Sequence, residues 1–460
     1  DGYSVVGFND DLHMNPAFST GFTDGQKPNY SLERSRSTSF FMNVNYSFMN
    51  RYLMDFNVRS DGTSKFGANK RFSTTWSVGL AWNLHNEEFM KSLGLFTNFK
   101  IRASVGNPGN QNFDAYQAMK IYKYNVELQN MFGSSAIIDQ FGNKDLDWQR
   151  TLDKNIGVDI SMLRNRIRVT LDYYYKDTDP LLISVPMPPS VGVGSINANA
   201  GRQLSWGWNG SFFGTVIQKQ NMSWTLNVNF RTSKSEYRDI GDKLNKFNEL
   251  GSAQSLVRYY EGASPDDMWA VPSLGIDPAT GAEMFRKKDG SQTFIYSTSD
   301  EVVVGCSRPD VEGVIGSSFY YKGFSASVNF RYRLGGEVMA SALYSKVENI
   351  SEEQIYYNQD KRALHDRWKQ PGDKAKFKSI KDNSPTPMSS RFVRTENTFS
   401  GESISMGYES SAAWIKKIGA EGVTFRAYMN DIFRLSSFKE ERGTDYPFAR
   451  TVSFSLSLRF

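Results

Sequence analysis

The chain has 460 residues, a net charge of +5, and a composition that is 39% hydrophobic and 14% aromatic, with 37 glycines. Its mean hydropathy is −0.50, and its longest apolar runs, such as Leu181–Val185 and Val302–Val304, are short. These features exclude a polytopic helical membrane protein, whose spans each need about 20 mostly apolar residues. Nine Trp, 23 Tyr and 33 Phe exclude a disordered chain, which has nothing to bury. The basic charge is not gathered into a Lys/Arg block, so no nucleic-acid partner is expected. Cys306 is the sole cysteine and rules out an internal disulfide. The opening Asp1-Gly-Tyr-Ser-Val has neither a basic nor an apolar leader segment, so no signal peptide is expected there.

Period-two alternation dominates the chain. In chain order it predicts strands near 1–8, 36–48, 51–60, 71–84, 98–108, 151–162, 166–176, 203–218, 223–236, 312–321, 324–336, 402–414, 421–431 and 450–460. Phe40, Met42, Val44, Tyr46 and Phe48 alternate with polar residues in the second of these. Ile167, Val169, Leu171, Tyr173 and Tyr175 do so further on, and Val452, Phe454, Leu456, Leu458 and Phe460 at the end. Helical patterns are scarce, with short candidates at Glu87–Ser92 and Glu352–Asp366. Most of the strands exceed the usual 5–6 residues of a soluble sheet and match the about 9–11 that a tilted strand needs to cross a bilayer.

The connections alternate in length. Asn50, Leu163–Asn165, Lys219–Met222, Lys322–Gly323 and Ile415–Ala420 are tight turns, and a helical stretch at 85–97 is the longest connection on their side. Between them run long connections near 9–35, 61–70, 109–150, 177–202, 237–311, 337–401 and 432–449. Successive turns of an antiparallel meander fall at opposite ends, so all short turns share one end and all long loops the other. That asymmetry, with aromatics such as Tyr52, Trp82, Trp206, Trp208, Trp224 and Tyr332 at strand ends, predicts an all-β fold. The expected form is a transmembrane antiparallel β-barrel of the bacterial outer membrane, with short periplasmic turns and long extracellular loops. Arg59, Arg102, Arg168, Arg231, Arg331, Arg426 and Arg459 alternate with the apolar stripe and are expected to face the lumen.

No catalytic site is expected. His13, His85 and His365 are far apart, zinc spacings are absent, and no dinucleotide, phosphate or nucleophile-elbow motif is complete. No cofactor and no metal are therefore assigned. Recognition is expected in the loops, where aromatic faces suit sugar or peptide stacking. The candidates are Tyr259, Tyr260, Trp269, Tyr296, Tyr356, Tyr357 and Trp368, with Arg362 and Arg367 as nearby cations. The competing expectation is that these aromatics pack the loops against one another.

Several stretches resemble the barrel of SusC/RagA-type TonB-dependent outer-membrane transporters of Bacteroidetes. They include Arg59-Ser-Asp-Gly-Thr-Ser-Lys-Phe-Gly67, Trp76-Ser-Val-Gly79, Lys100-Ile-Arg-Ala-Ser-Val-Gly106 and Asn155-Ile-Gly-Val-Asp159. Further on come Asp172-Tyr-Tyr-Tyr-Lys-Asp-Thr178, Gly275-Ile-Asp-Pro-Ala-Thr-Gly281, Tyr321-Lys-Gly-Phe324 and His365-Asp-Arg-Trp-Lys-Gln-Pro-Gly-Asp373. The matches follow the family's order along nearly the whole chain. The resemblance implies that residues 1–460 form the C-terminal part of a larger, 22-stranded barrel whose plug, TonB box and first strands are not in this sequence. It further implies active import of oligosaccharides or peptides with a SusD-like surface lipoprotein as cap, energy from TonB-ExbB-ExbD through the plug, and contact with outer-membrane lipid. A dimer of transporter–lipoprotein pairs is compatible with it. Two other functions stay open: a passive porin closed from these strands, and a surface glycan-binding or adhesin module.

Overall fold

A computed structural model describes residues 35–64, 72–110, 120–131, 133–141, 149–186, 192–193, 195–199, 201–245, 248–249, 255–417, 419–438 and 450–460. A 15-stranded sheet dominates it, and 13 of its strands follow one another in unbroken sequence order. They are β1 (Ser37–Phe48), β2 (Tyr52–Thr63), β3 (Phe72–Asn83), β4 (Phe96–Asn107), β5 (Gln149–Met162), β6 (Ile167–Thr178) and β7 (Arg202–Lys219). The path continues through β8 (Met222–Arg231), β9 (Val311–Tyr321), β10 (Phe324–Leu334), β11 (Thr398–Ser410), β12 (Gly422–Ser436) and β13 (Val452–Arg459). Every neighbouring pair is antiparallel, so the sheet is a simple meander. The strand expected near 1–8 and the loop expected near 9–35 lie outside the described residues, except for residue 35.

The register sorts the side chains into two faces. On one, Met42 stands opposite Val58, Val44 opposite Phe56 and Tyr46 opposite Met54. Ile160 stands opposite Val169, and Phe212 opposite both Val169 and Val228. Many of these large apolar residues are exposed, Phe40, Phe454 and Leu456 more than two-thirds so. An apolar face this continuous is stable only against hydrocarbon. On the other face Asn43 opposes Asn57, Asn57 opposes Ser77, Ser104 opposes Asn155 and Asn209 opposes Arg231. Ser318 opposes Ser327, Ser327 opposes Ser405, and Arg426 opposes Ser455. Phe41 and Phe213 interrupt this polar row, and the Arg168 guanidinium lies 4.1 Å above the Phe213 ring.

Arg102 ties three strands together on the polar face. From β4 it donates to Asp159 of β5 (Nε–Oδ2 2.9 Å) and to Asp172 of β6 (Nη2–Oδ2 2.8 Å). Gly157, its partner in register, makes the second contact feasible. A Cβ there would lie 2.3 Å from Asp172 Oδ1 and 2.9 Å from Arg102 Cζ.

The short turns are tight. Met49 and Asn50, Leu163 to Asn165, and Lys322 with Gly323 all have positive φ, the backbone of two- and three-residue hairpins. At the same end, Tyr52 and Trp82 stack with centroids 6.3 Å apart and both donate to Glu87, which also receives Arg51. Each aromatic body thus stays in the apolar layer while its polar tip is satisfied.

Two elements differ from expectation. The strand expected at 223–236 breaks at Thr232 and Ser233; Lys234–Arg238 resumes it and pairs with the start of β7, which is long enough to serve both pieces. The helix expected over Glu352–Asp366 is only two short turns, Glu353–Tyr356 and Arg362–His365. Ala363 is buried, while Tyr356, Tyr357 and Leu364 are exposed, so the segment offers no continuous apolar face to stabilise a longer helix.

Two outcomes test this two-faced assignment. Phe212→Arg should cost about 2–4 kcal/mol of folding stability in lipid, because it sets a charge in hydrocarbon, while Ser211→Arg on the neighbouring polar face should cost well under that. Urea midpoints in liposomes read the difference. Gly157→Val should split the Arg102 cluster and cost about 1–3 kcal/mol by the same assay, from overpacking at a buried contact.

Candidate functional site

Above the polar face, toward the long-loop end, the wall opens into a recess of about 740 Å³. Arg59, Asp153, Tyr174, Lys176, Arg231 and Arg308 are among its lining residues. Strand alternation brings pairs such as Asn57 with Arg59, Asp153 with Asn155 and Tyr174 with Lys176 into the recess from one face, and Arg308 enters from a loop. Lys176 Nζ lies 3.1 Å from Asp153 Oδ2, and Arg59 Nε 2.8 Å from Asp61. Arg308 reaches Asp266 at 2.7 Å and donates to Ser233 Oγ, which also accepts the Tyr174 hydroxyl. Arg231 has no carboxylate partner among the described residues, although Glu312 stands opposite it in register. The recess is therefore polar, internally ion-paired, and carries spare positive charge. Such a surface binds hydrogen-bonding or anionic groups through many exchangeable contacts.

The two longest loops form one packed unit over the same end. Loop 237–311 holds the pairs Asp267–Ala270 with Val302–Cys306 and Ser273–Ile276 with Glu283–Arg286. Loop 337–401 packs Val347, Ala363, Phe377 and Phe392 into a small core. A bridge between Val271 and Ser389 and the bond from Ser273 N to Ser390 Oγ (2.8 Å) join the loops. Buried charge joins them more firmly. Arg391 of the second loop contacts Glu283 of the first at 3.0 Å and Glu348 at 2.5 Å, with Glu348 wholly buried. Within the first loop, Arg258 and Glu301 form a fully buried two-pronged pair at 2.7 and 2.8 Å.

The residues singled out by sequence fall into three situations. Tyr260 and Trp269 come together, with ring centroids 4.7 Å apart, while Tyr259 packs on Tyr237. Tyr296 packs edge-on against Phe285, and burial together with Glu301 pushes its hydroxyl up to about 12. Trp368 lies over Gly281 and donates to the Pro278 carbonyl at 2.9 Å. Arg367 is buried, its two terminal nitrogens donate to the carbonyls of Val347, Glu348 and Lys378, its Nε lacks an acceptor, and burial lowers its basicity. Arg362 forks onto Asp360 and holds that carboxyl down at about 2. Tyr356 and Tyr357 alone of the nine stand open, 90% and 75% exposed. Sequence reasoning missed Tyr174 and Ser233 of the recess. Their signal was parity with the lumen-facing arginines, which places Tyr174 on the polar face. Among the described residues no three His, Cys, Asp or Glu side chains are placed to hold a metal ion.

Residues 2–304 match the family model described as TonB dependent receptor-like, beta-barrel. Among curated proteins, TonB-dependent receptor P39 of Formosa agariphila is 25% identical over 453 residues, covering 87% of this chain and 43% of that protein. TonB-dependent receptor SusC of Bacteroides thetaiotaomicron is 26% identical over 456 residues, covering 93% and 44%. The chain thus spans less than half the length of these relatives. Of solved structures, that of the RagAB peptide transporter superposes with a TM-score of 0.76 at 20% identity, over 92% of this chain and 47% of that one. Proteins of this family are Gram-negative outer-membrane barrels, in keeping with the lipid face and the loop asymmetry described above. The matched segment runs through the first eight strands of the meander and into the loop unit, and on that ground the chain belongs to the TonB-dependent receptor-like β-barrel family.

Proposed function

We propose that residues 1–460 are the lumen wall and extracellular face of an outer-membrane active importer for oligosaccharides or peptides. The observation that carries this is the polar face: it crosses all 13 consecutive strands, is ion-paired at its centre, and opens into the recess below the loop unit. A pore wall of satisfied, exchangeable hydrogen-bonding groups lets a polar solute slide without a deep trap. No step requires covalent chemistry from this chain. In this reading a plug and the remaining strands of the same protein complete the barrel, and TonB with ExbB-ExbD acts on the plug. A SusD-like lipoprotein closes on the loop unit, with Tyr356 and Tyr357 as contacts. The packed residues Tyr259, Tyr260, Trp269, Tyr296, Trp368, Arg362 and Arg367 hold the surface that it meets.

Uptake by cells separates an active importer from a porin. Removal of TonB should reduce uptake of a cognate glycan or peptide to background, and persistence of uptake would speak for a passive pore. A second measurement addresses the cap. Replacing Tyr356 and Tyr357 together by alanine should weaken co-purification of the lipoprotein by about tenfold or more, as loss of exposed aromatic anchors does, without altering the barrel's thermal transition. Unchanged co-purification would remove these two residues from the interface.

A further inference from the structure

Apart from the lumen, the loop unit contains a cavity of about 430 Å³, within the about 300–1,000 Å³ usual for small-molecule sites. Its floor is apolar, made by Ile276, Leu343, Phe377 and Phe392. Four cations stand on its walls: Arg362, Lys376, Arg391 and Arg394. Three of them already have carboxylates. Arg362 is held by Asp360, Lys376 by Asp366 at 3.1 Å, and Arg391 by both Glu283 and Glu348. Arg394 is exposed and has no acidic partner among the described residues. The Nε of Arg391, whose side chain is nine-tenths buried, also lacks an acceptor.

We propose that this cavity binds a small organic carboxylate with an apolar body, the body resting on Phe377, Phe392 and Leu343 and the carboxylate pairing with Arg394. The chemistry follows from what the walls leave unmatched. An apolar floor gains from covering by hydrocarbon or an aromatic ring, not by a bare hydrophilic sugar. One uncompensated guanidinium suits a single negative charge, whereas a dianion would bring a second charge with no partner. A planar carboxylate also fits the guanidinium fork. The same chemistry exists as a free aromatic or aliphatic acid and as the carboxy end of a peptide with an apolar last residue. The site stands independently of the import reading, because it is assayed by binding alone.

The test is equilibrium dialysis of the detergent-purified protein with 3-phenylpropionate, N-acetylphenylalanine and N-acetylphenylalaninamide. At least one acid should bind about tenfold more tightly than the amide, as a charge-assisted contact implies. Arg394→Gln should bring the acids to the level of the amide. Ala375→Trp, which fills the cavity from its wall and keeps Arg394, should abolish acid binding. Preference for N-acetylphenylalanine identifies a peptide carboxy end; equal binding or preference for 3-phenylpropionate identifies a free acid. Binding of the amide as tight as the acids, acid affinity unchanged in Arg394→Gln, or no retention of either acid overturns the proposal. Arg394 is exposed, so its variant decides the matter even where Ala375→Trp fails to fold.

Discussion

In hydrocarbon an unpaired backbone N–H or C=O has no water to turn to, and the structure depends on that constraint. A strand can cross the membrane only if both of its edges are hydrogen-bonded to neighbours. Each of the inner strands β2 to β12 meets this by pairing with the strand before and the strand after it. Once the ladder is in place, side-chain alternation has no freedom left. A one-residue slip between β7 and β8 would send Phe212 inward and Ser211 outward along with every partner in the register. The apolar outer face, the polar inner face and the division of loops between two ends are therefore consequences of one requirement.

The inner face solves a second problem. A water-filled lumen lined by strands needs polar groups, but loose charges there would bind solutes too tightly to release them. The wall keeps its charges close to neutral by pairing them across strands. Arg102 with Asp159 and Asp172, Lys176 with Asp153, and Arg331 with Glu402 each join different strands. Such pairs add little stability where they are exposed. Their value lies in fixing register and leaving a surface of weak, replaceable contacts, with spare charge confined to places such as Arg231.

Much of this was legible in the sequence, because the relevant signals are local. Alternation over ten or more residues defines a strand and its face, and positive-φ turns are short for geometric reasons. All 13 expected strands that fall within the described residues are present, and each face has the expected parity. The break at Thr232 was not legible, since alternation continues through it and only the length of β7 reveals that two pieces pair there. The fate of the loop aromatics was not legible either. Trp269 and Tyr356 look alike in sequence, yet one lies against Tyr260 and the other faces solvent. Partners many residues away decide such a matter, and alternation carries no information about them.

The loop unit raises a question of cost. Burying Glu348 and Glu301 takes two carboxylates out of water, and in general a buried ion pair offsets little more than its own desolvation. Apolar packing alone would have been cheaper for cohesion, and the Val347–Phe392 core shows that the loops use it. What ion pairs add is uniqueness. Apolar contacts tolerate sliding, whereas a buried Arg391 tolerates only positions in which Glu283 and Glu348 both reach it. Loops of this length would otherwise sample many arrangements. Fixing one of them keeps the 430 Å³ cavity open, keeps Arg394 at its wall, and holds Tyr356 and Tyr357 facing outward. The charges that look like binding residues in the sequence are mostly those that hold the unit's shape, and the cations left over at its surface and in the lumen are the ones free to meet a ligand.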